Sequence, residues 1–284
     1  MDIDSSLVFA RDRVVAQSGT GTRASTDSAF ISGAYARYRS QEADFFAGKC
    51  APVGDMQHHY HFVAETLPRL LRIQQEEPDA VFVSSQEPYP FAAELLRALG
   101  ITIRRVPPGT VLAPEEVMIV DQPIKFWPRA SDLTLLRRIP ETLHINQTVT
   151  AHAAIYISRS EAERSPAGER EFQQQLAKVG IPSVLLETGS PEDQIRTVLA
   201  ARALIGVHGA GLASLAFMPL GATVIELSSG DRYEACYQRM AIMLGLDYGF
   251  VQLPSSADHP HGVIPQELLG ELLQMVQPDS TKTT

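Results

Sequence analysis

A chain of 284 residues, 44% of them hydrophobic, is long enough for one large domain or two of ordinary size, each with a real core. Its formal net charge of −9 excludes the basic surplus of a general nucleic-acid binder, so an anionic ligand has to meet a local basic cluster. Two distant cysteines, Cys50 and Cys236, argue against a disulfide framework and for a reducing cytoplasm.

The start of the chain, MDIDSSLVFARDR, is acidic and shows no signal peptide. No apolar run is long enough for a transmembrane segment. Residues 8–15 read as a strand and the Ser/Thr/Gly-rich run 18–28 as a loop. From Gln57 the pattern sharpens. Phe62, Val63, Leu67, Leu70, Leu71 and Ile73 recur at helical spacing, in an amphipathic helix that Pro68 must either kink or restart. Residues 80–84 follow as a strand, 91–99 as a helix ended by Gly100, 101–106 as a strand and 117–120 as one more.

Residues 126–149 show no clear period and are expected to hold the connection between domains. The alternation then restarts. A strand is predicted over 153–158, a helix over 169–179 stopped by Gly180, and a strand over 183–187. Ser190-Pro191-Glu192-Asp193 carries an N-cap, a proline at the first helical position and an acid three residues after the cap. That helix runs to about Ala201. The stretch 203–227, ALIGVHGAGLASLAFMPLGATVIEL, reads as strand, His-Gly-x-Gly turn, short helix and second strand. A helix over 233–244, a strand over 250–253, a terminal helix over 265–276 and a disordered polar tail complete the chain. Two successive α/β units predict two Rossmann-like domains facing a cleft, divided as residues 1–145 and 146–284.

Three clusters could carry chemistry. In the glycine turn, Gly209 and Gly211 remove Cβ atoms where the chain turns and where a ligand can approach. The helix opening at Gly211 would aim N–H groups at an anion, and Glu226 falls where nucleotide-binding units keep a ribose-binding carboxylate. The third glycine of the dinucleotide fingerprint is replaced by Ser214. In the block QHHYHFVAETLPR, His61 and Glu65 lie one turn apart on one helix face, a pairing suited to general-base chemistry, and Arg69 extends the stripe. Its histidines lack the H-E-x-x-H zinc spacing, with Phe62 in place of the acid, so no metal is expected. In YISRSEAER, Arg159 stands just beyond a strand, where its planar fork can grip phosphate oxygens, and Arg164 follows.

Together HYHFVAETLPRLL, YISRSEAER and VHGAGLASLAFMPLGATVIEL resemble the family-61 glycosyltransferases, including bacterial capsular-polysaccharide members. The resemblance covers most of residues 57–228. It implies a two-domain GT-B architecture and inverting transfer of a sugar from a nucleotide-sugar donor to a glycan acceptor, with no cofactor beyond that co-substrate. The donor would lie on the C-terminal half, at Arg159, Arg164, His208, Gly209, Ala210, Gly211, Leu212 and Glu226. The acceptor would lie on the N-terminal half, with His61 or Glu65 as base. The chain departs from the family where His58 stands in place of an expected Asn, and where Arg170-Glu171 stands in place of Asn-Glu. An NAD-type oxidoreductase and a non-catalytic nucleotide- or glycan-binding subunit share parts of this pattern. The sequence leaves the donor sugar, the acceptor and the oligomeric state open.

Overall fold

Apolar runs separated by amphipathic helices become parallel strands here, because each helical crossover returns the chain to the same end of a sheet. The computed structural model describes residues 1–2, 7–10, 13–15, 28–120, 127–145, 154–160, 164–229 and 234–276. They divide into two units, Met1–Leu143 and His144–Thr284.

Unit 1 opens with an antiparallel hairpin, β1 (Val8–Ala10) and β2 (Arg13–Val15), where a single strand was expected. Helix α1 (Ser28–Ser40) and strand β3 (Asp44–Pro52) follow. Next come α2 (His59–His61), a π-helical turn (Phe62–Thr66) and α3 (Leu67–Glu76). The unit continues through β4 (Val81–Ser84), α4 (Pro90–Ala98), β5 (Ile103–Arg105), β6 (Leu112–Val117), α5 (Ala130–Leu136) and α6 (Ile139–Thr142). Its four-stranded sheet has the order β5-β4-β3-β6, with every pair parallel.

The expected loop at 18–28 lies outside the described residues, apart from Ser28, which opens α1. Strand β3 escaped the sequence reading because Gly48 and Lys49 interrupt its apolar run, at the point where its register with β6 shifts. The strand expected at 117–120 lies earlier, at Leu112–Val117. Its LAPEEV sequence does not look like a strand. As the edge strand of this sheet, it tolerates a proline and two acids.

Pro68 restarts the helix rather than kinking it. In the π turn the Leu67 N–H reaches back to the Phe62 carbonyl, and Pro68 falls in the first turn of α3, where its missing N–H costs nothing.

Unit 2 runs β7 (Ile155–Ile157), α7 (Glu169–Lys178), β8 (Ser183–Val184) and a 3₁₀ turn (Leu186–Thr188). It goes on through α8 (Pro191–Leu199), β9 (Ala203–Val207), a 3₁₀ helix (Ala210–Phe217) and β10 (Thr223–Ser228). The last elements are α9 (Cys236–Met243), β11 (Asp247–Gln252) and α10 (Leu268–Val276). The parallel five-stranded sheet has the order β11-β10-β9-β7-β8. Tyr156, Ile205, Ile225 and Leu227 on the strands, Phe172 and Leu176 on α7, and Leu268 and Leu272 on α10 form its core. Each such side chain, fully buried, contributes roughly 1.5–3 kcal/mol. The expected cap on α8 is present, with Ser190 Oγ accepting from the Asp193 amide at 3.2 Å. The polar tail lies outside the described residues.

Candidate active site

From β7 the chain moves outward to β8, then returns to β9, β10 and β11 on the other side. At such a switch point the loops leaving two neighbouring strands diverge and open a crevice, the favoured ligand position in open α/β sheets. Arg159 follows β7, and His208 and Gly209 follow β9, so they stand on the two sides of this point. Arg159 Nη1 donates to the His208 carbonyl oxygen at 2.9 Å.

A Cβ added at Gly209 would lie 1.3 Å from that same nitrogen. Gly209 itself is extended, with φ 165°, so glycine is needed here for space rather than conformation. The Arg159 guanidinium lies in the space that a side chain here would take. Ala210 and Gly211 open the 3₁₀ helix and are partly exposed. Leu212, expected among the donor contacts, has its amide bonded to the Gly209 carbonyl at 2.9 Å and its side chain buried. A Cβ at Gly206 would lie 2.9 Å from Leu212 Cδ2. Gly206 therefore supplies the close helix–strand packing that a third fingerprint glycine would give and that Ser214 does not. Arg164 is exposed, five residues before α7.

His208 and Glu226 are placed side by side by adjacent strands. The ring Nδ1 is 2.5 Å from Glu226 Oε1, and Tyr248 on β11 donates its hydroxyl to Oε2 at 2.6 Å. Glu226 is 0% exposed and engaged on both oxygens, so its carboxylate meets the His208 ring and not a ribose. Tyr237 on α9 donates its hydroxyl to the Gly209 carbonyl at 2.7 Å and sets its ring edge-on to His208, 5.4 Å between centroids.

Sequence reasoning missed Glu169. This buried carboxylate accepts from the Arg159 amide at 2.6 Å, the Tyr156 hydroxyl at 3.0 Å and Ser165 Oγ at 2.5 Å. Burial, reinforced by Glu169, pushes the Tyr156 hydroxyl well above its ordinary pKa. Glu169 also sits in the first turn of α7, where the helix dipole favours a negative charge. Gly168 before it has φ 82°, a left-handed conformation open to glycine or asparagine.

In unit 1 the chain runs from β3 outward to β4 and β5, then returns to β6 on the other side of β3. The residues after β3 lead directly into α2 and the π turn, a local irregularity frequent at functional sites. His61 and Glu65 meet there as expected, Nδ1 to Oε2 at 2.8 Å. The His61 side chain is 13% exposed and that of Glu65 4%, so the histidine is the outer member. Behind them Arg69 is buried. Burial lowers its pKa to about 10, while the Glu65 and Asp132 carboxylates pull it upward. Arg72 Nη2 donates to Asp132 Oδ1 at 2.7 Å, so a row of charges ties α3 to α5.

His58 pairs with Asp55 at 2.7 Å on the surface. Counting back from Tyr60 and His61 puts the block's Asn position at His59 rather than His58. His59 Nδ1 is 2.6 Å from the Tyr89 hydroxyl, and burial pushes its pKa down to about 4. Among the described residues no group of three or more His, Cys, Asp or Glu could hold a metal ion, and no helix is long and apolar enough to cross a membrane.

These features define a class: an α/β protein that sets an arginine and a histidine beside a glycine turn at a switch point, as an anion-binding crevice requires. The chain belongs to the glycosyltransferase 61 family, whose model matches residues 59–225, more than half its length. It is similar to the β-1,2-xylosyltransferase of Arabidopsis thaliana, 34% identical over 101 residues, 35% of this chain and 18% of that protein. It is also similar to the protein O-linked-mannose β-1,4-N-acetylglucosaminyltransferase 2 of Canis lupus familiaris, 36% identical over 96 residues, 32% of this chain and 16% of that one. The matched stretch spans less than a fifth of either relative. Among solved structures, the E. coli heptosyltransferase WaaC with ADP aligns at 11% identity over 81% of this chain and 97% of its own, with a TM-score of 0.41.

Proposed function

We propose that the protein transfers a sugar from a nucleotide-sugar donor to a hydroxyl of a glycan acceptor, inverting the anomeric centre without a metal ion. Polysaccharide biosynthesis of the capsular type, in the cytoplasm, is the setting we assign to it. In this reading unit 2 holds the donor and unit 1 the acceptor. The observation that carries it is the Arg159 guanidinium laid against the His208–Gly209 turn at the switch point of unit 2. A planar cation there can take two phosphate oxygens of the donor.

The reaction needs a base for the acceptor hydroxyl and a counter-charge for the leaving diphosphate. His61 is the base. Its Nδ1 is held by Glu65, and Nε2 takes the proton as the acceptor oxygen attacks the anomeric carbon. The bond from that carbon to the diphosphate breaks, and Arg159, His208 and the amides heading the 3₁₀ helix stabilise the departing charge. An NAD-type reading would need a carboxylate free for ribose, and Glu226 is buried against His208.

The test is a thermal-shift panel of nucleotides and nucleotide sugars, with and without EDTA. A bound ligand at a hundred times its dissociation constant adds about 2.7 kcal/mol of stability. One nucleoside diphosphate and its sugar should shift the transition, equally in EDTA. A flat response across the panel overturns the donor reading, and a shift abolished by EDTA overturns metal independence.

A further inference from the structure

We infer that Tyr237 and Tyr248, both beyond the family-matched residues 59–225, are positioning residues of the donor crevice. One fixes the backbone of the glycine turn and the other fixes the His208 ring. The inference rests on the donor reading for its ligand, but its geometry stands in the free protein.

In a trans peptide the carbonyl of one residue and the N–H of the next point in opposite directions. The His208 carbonyl is held by Arg159 Nη1 at 2.9 Å, and the Gly209 carbonyl by the Tyr237 hydroxyl at 2.7 Å. Each anchor therefore turns the following amide away from itself: Gly209 N–H away from the guanidinium, Ala210 N–H away from Tyr237. The Leu212 amide also donates to the Gly209 carbonyl, so that oxygen has two fixed donors. Gly209 is extended, so its N–H and that of Ala210 point to opposite sides; the Tyr237 hydroxyl thus fixes the Ala210 N–H at the head of the 3₁₀ helix, without touching the anion.

Tyr248 acts one step further back. It pairs with Val224 in the parallel register of β10 and β11, and its hydroxyl reaches forward along the same face to Glu226 Oε2. The other oxygen of that carboxylate holds His208 Nδ1. With Oε2 tied to Tyr248, the carboxylate cannot rotate away, and the ring keeps Nδ1 inward and Nε2 as its remaining polar atom. Without the hydroxyl, a fully buried carboxylate would lose a donor and gain freedom to turn. The tyrosine ring itself packs the same space in either case, which makes phenylalanine a clean probe.

The experiment compares Tyr248→Phe, Tyr237→Phe, Glu226→Gln and the Tyr248→Phe/Glu226→Gln double variant with wild type in two readouts. The first is the pair of ¹⁵N shifts of the His208 ring in the free protein. Wild type should show one dominant tautomer, and Tyr248→Phe a mixture, while Tyr237→Phe leaves the ring signals in place. The second is affinity for the nucleoside diphosphate selected by the thermal panel. Each tyrosine variant should lose about five- to twentyfold, the size of one hydrogen bond, with a raised donor KM and a smaller change in kcat. The double variant should bind no worse than Glu226→Gln alone, because both changes act through one carboxylate. Unchanged ring shifts in Tyr248→Phe, or additive losses in the double variant, overturn the Tyr248 assignment. Unchanged affinity in Tyr237→Phe overturns that of Tyr237. If wild type binds none of the nucleotides, the donor reading fails, and the ring shifts still decide the Tyr248 arrangement.

Discussion

Each unit carries a histidine–glutamate pair near a switch point of its sheet, and the two are built in opposite ways. His61 and Glu65 come from one helical turn, four residues apart. His208 and Glu226 are eighteen residues apart and meet because β9 and β10 lie side by side. The first is positioned by its own helix and backed by Arg69, whose charge offsets a buried carboxylate. The second is positioned by the sheet and backed by a neutral donor, the Tyr248 hydroxyl. A base that must change its protonation state gains from a charged network that adapts to it. A ring that only has to present one nitrogen gains from a rigid frame.

Chemistry and binding should therefore separate by mutation. The largest effect is expected for His61→Ala, which removes the base: kcat falls about a hundred- to ten-thousand-fold while nucleotide affinity stays as in wild type. A comparable loss of nucleotide affinity in that variant would merge the two pairs into one site. Gly209→Ala comes next. Its Cβ displaces only the tip of a flexible side chain, so the thermal midpoint should move little, but Arg159 must leave the turn. Donor affinity should drop roughly tenfold to a hundredfold, the worth of charge-assisted hydrogen bonds, which calorimetry reads directly.

Glu65→Gln should lower kcat by about tenfold and less than His61→Ala, because it loosens the base without deleting it. Unchanged turnover in this variant would leave Glu65 with no part in the chemistry. A separate effect, read in stability rather than activity, concerns the fold near the first pair. His59 has a folded pKa of about 4 against an ordinary 6.5, so between those values the unfolded chain binds more protons. Stability should then decline as pH falls from about 6.5 to 4, by up to about 3 kcal/mol, and flatten below. His59→Asn should remove that slope in thermal melts taken across this range.

Much of the fold could be read in the chain because its periodicity is local. The β7–β10 region appears strand by strand, and the Ser190 cap sits where its residues put it. What stayed hidden had a non-local cause. Strand β3 is interrupted by Gly48 and Lys49, and β6 carries a proline and two acids that only an edge position permits. The His61–Glu65 contact was legible because helical spacing alone brings the pair together. The His208–Glu226 contact was not, since strand order decides it. Glu226 looked like a ribose ligand by position, and only its burial shows what it holds. Glu169 was passed over for Glu171 two residues on, although Phe172 and Leu176 mark the inward face of α7 and Glu169, three residues before Phe172, lies on it. The reason for Gly209, a guanidinium arriving from residue 159, lies fifty residues away.

The measurement that bears most directly on the donor reading is calorimetric titration of the panel-selected nucleoside diphosphate into wild type and Arg159→Ala. Wild type should bind with one-to-one stoichiometry, and Arg159→Ala at least tenfold more weakly at an unchanged thermal midpoint. Equal binding by both proteins would contradict the placement of the donor diphosphate at Arg159.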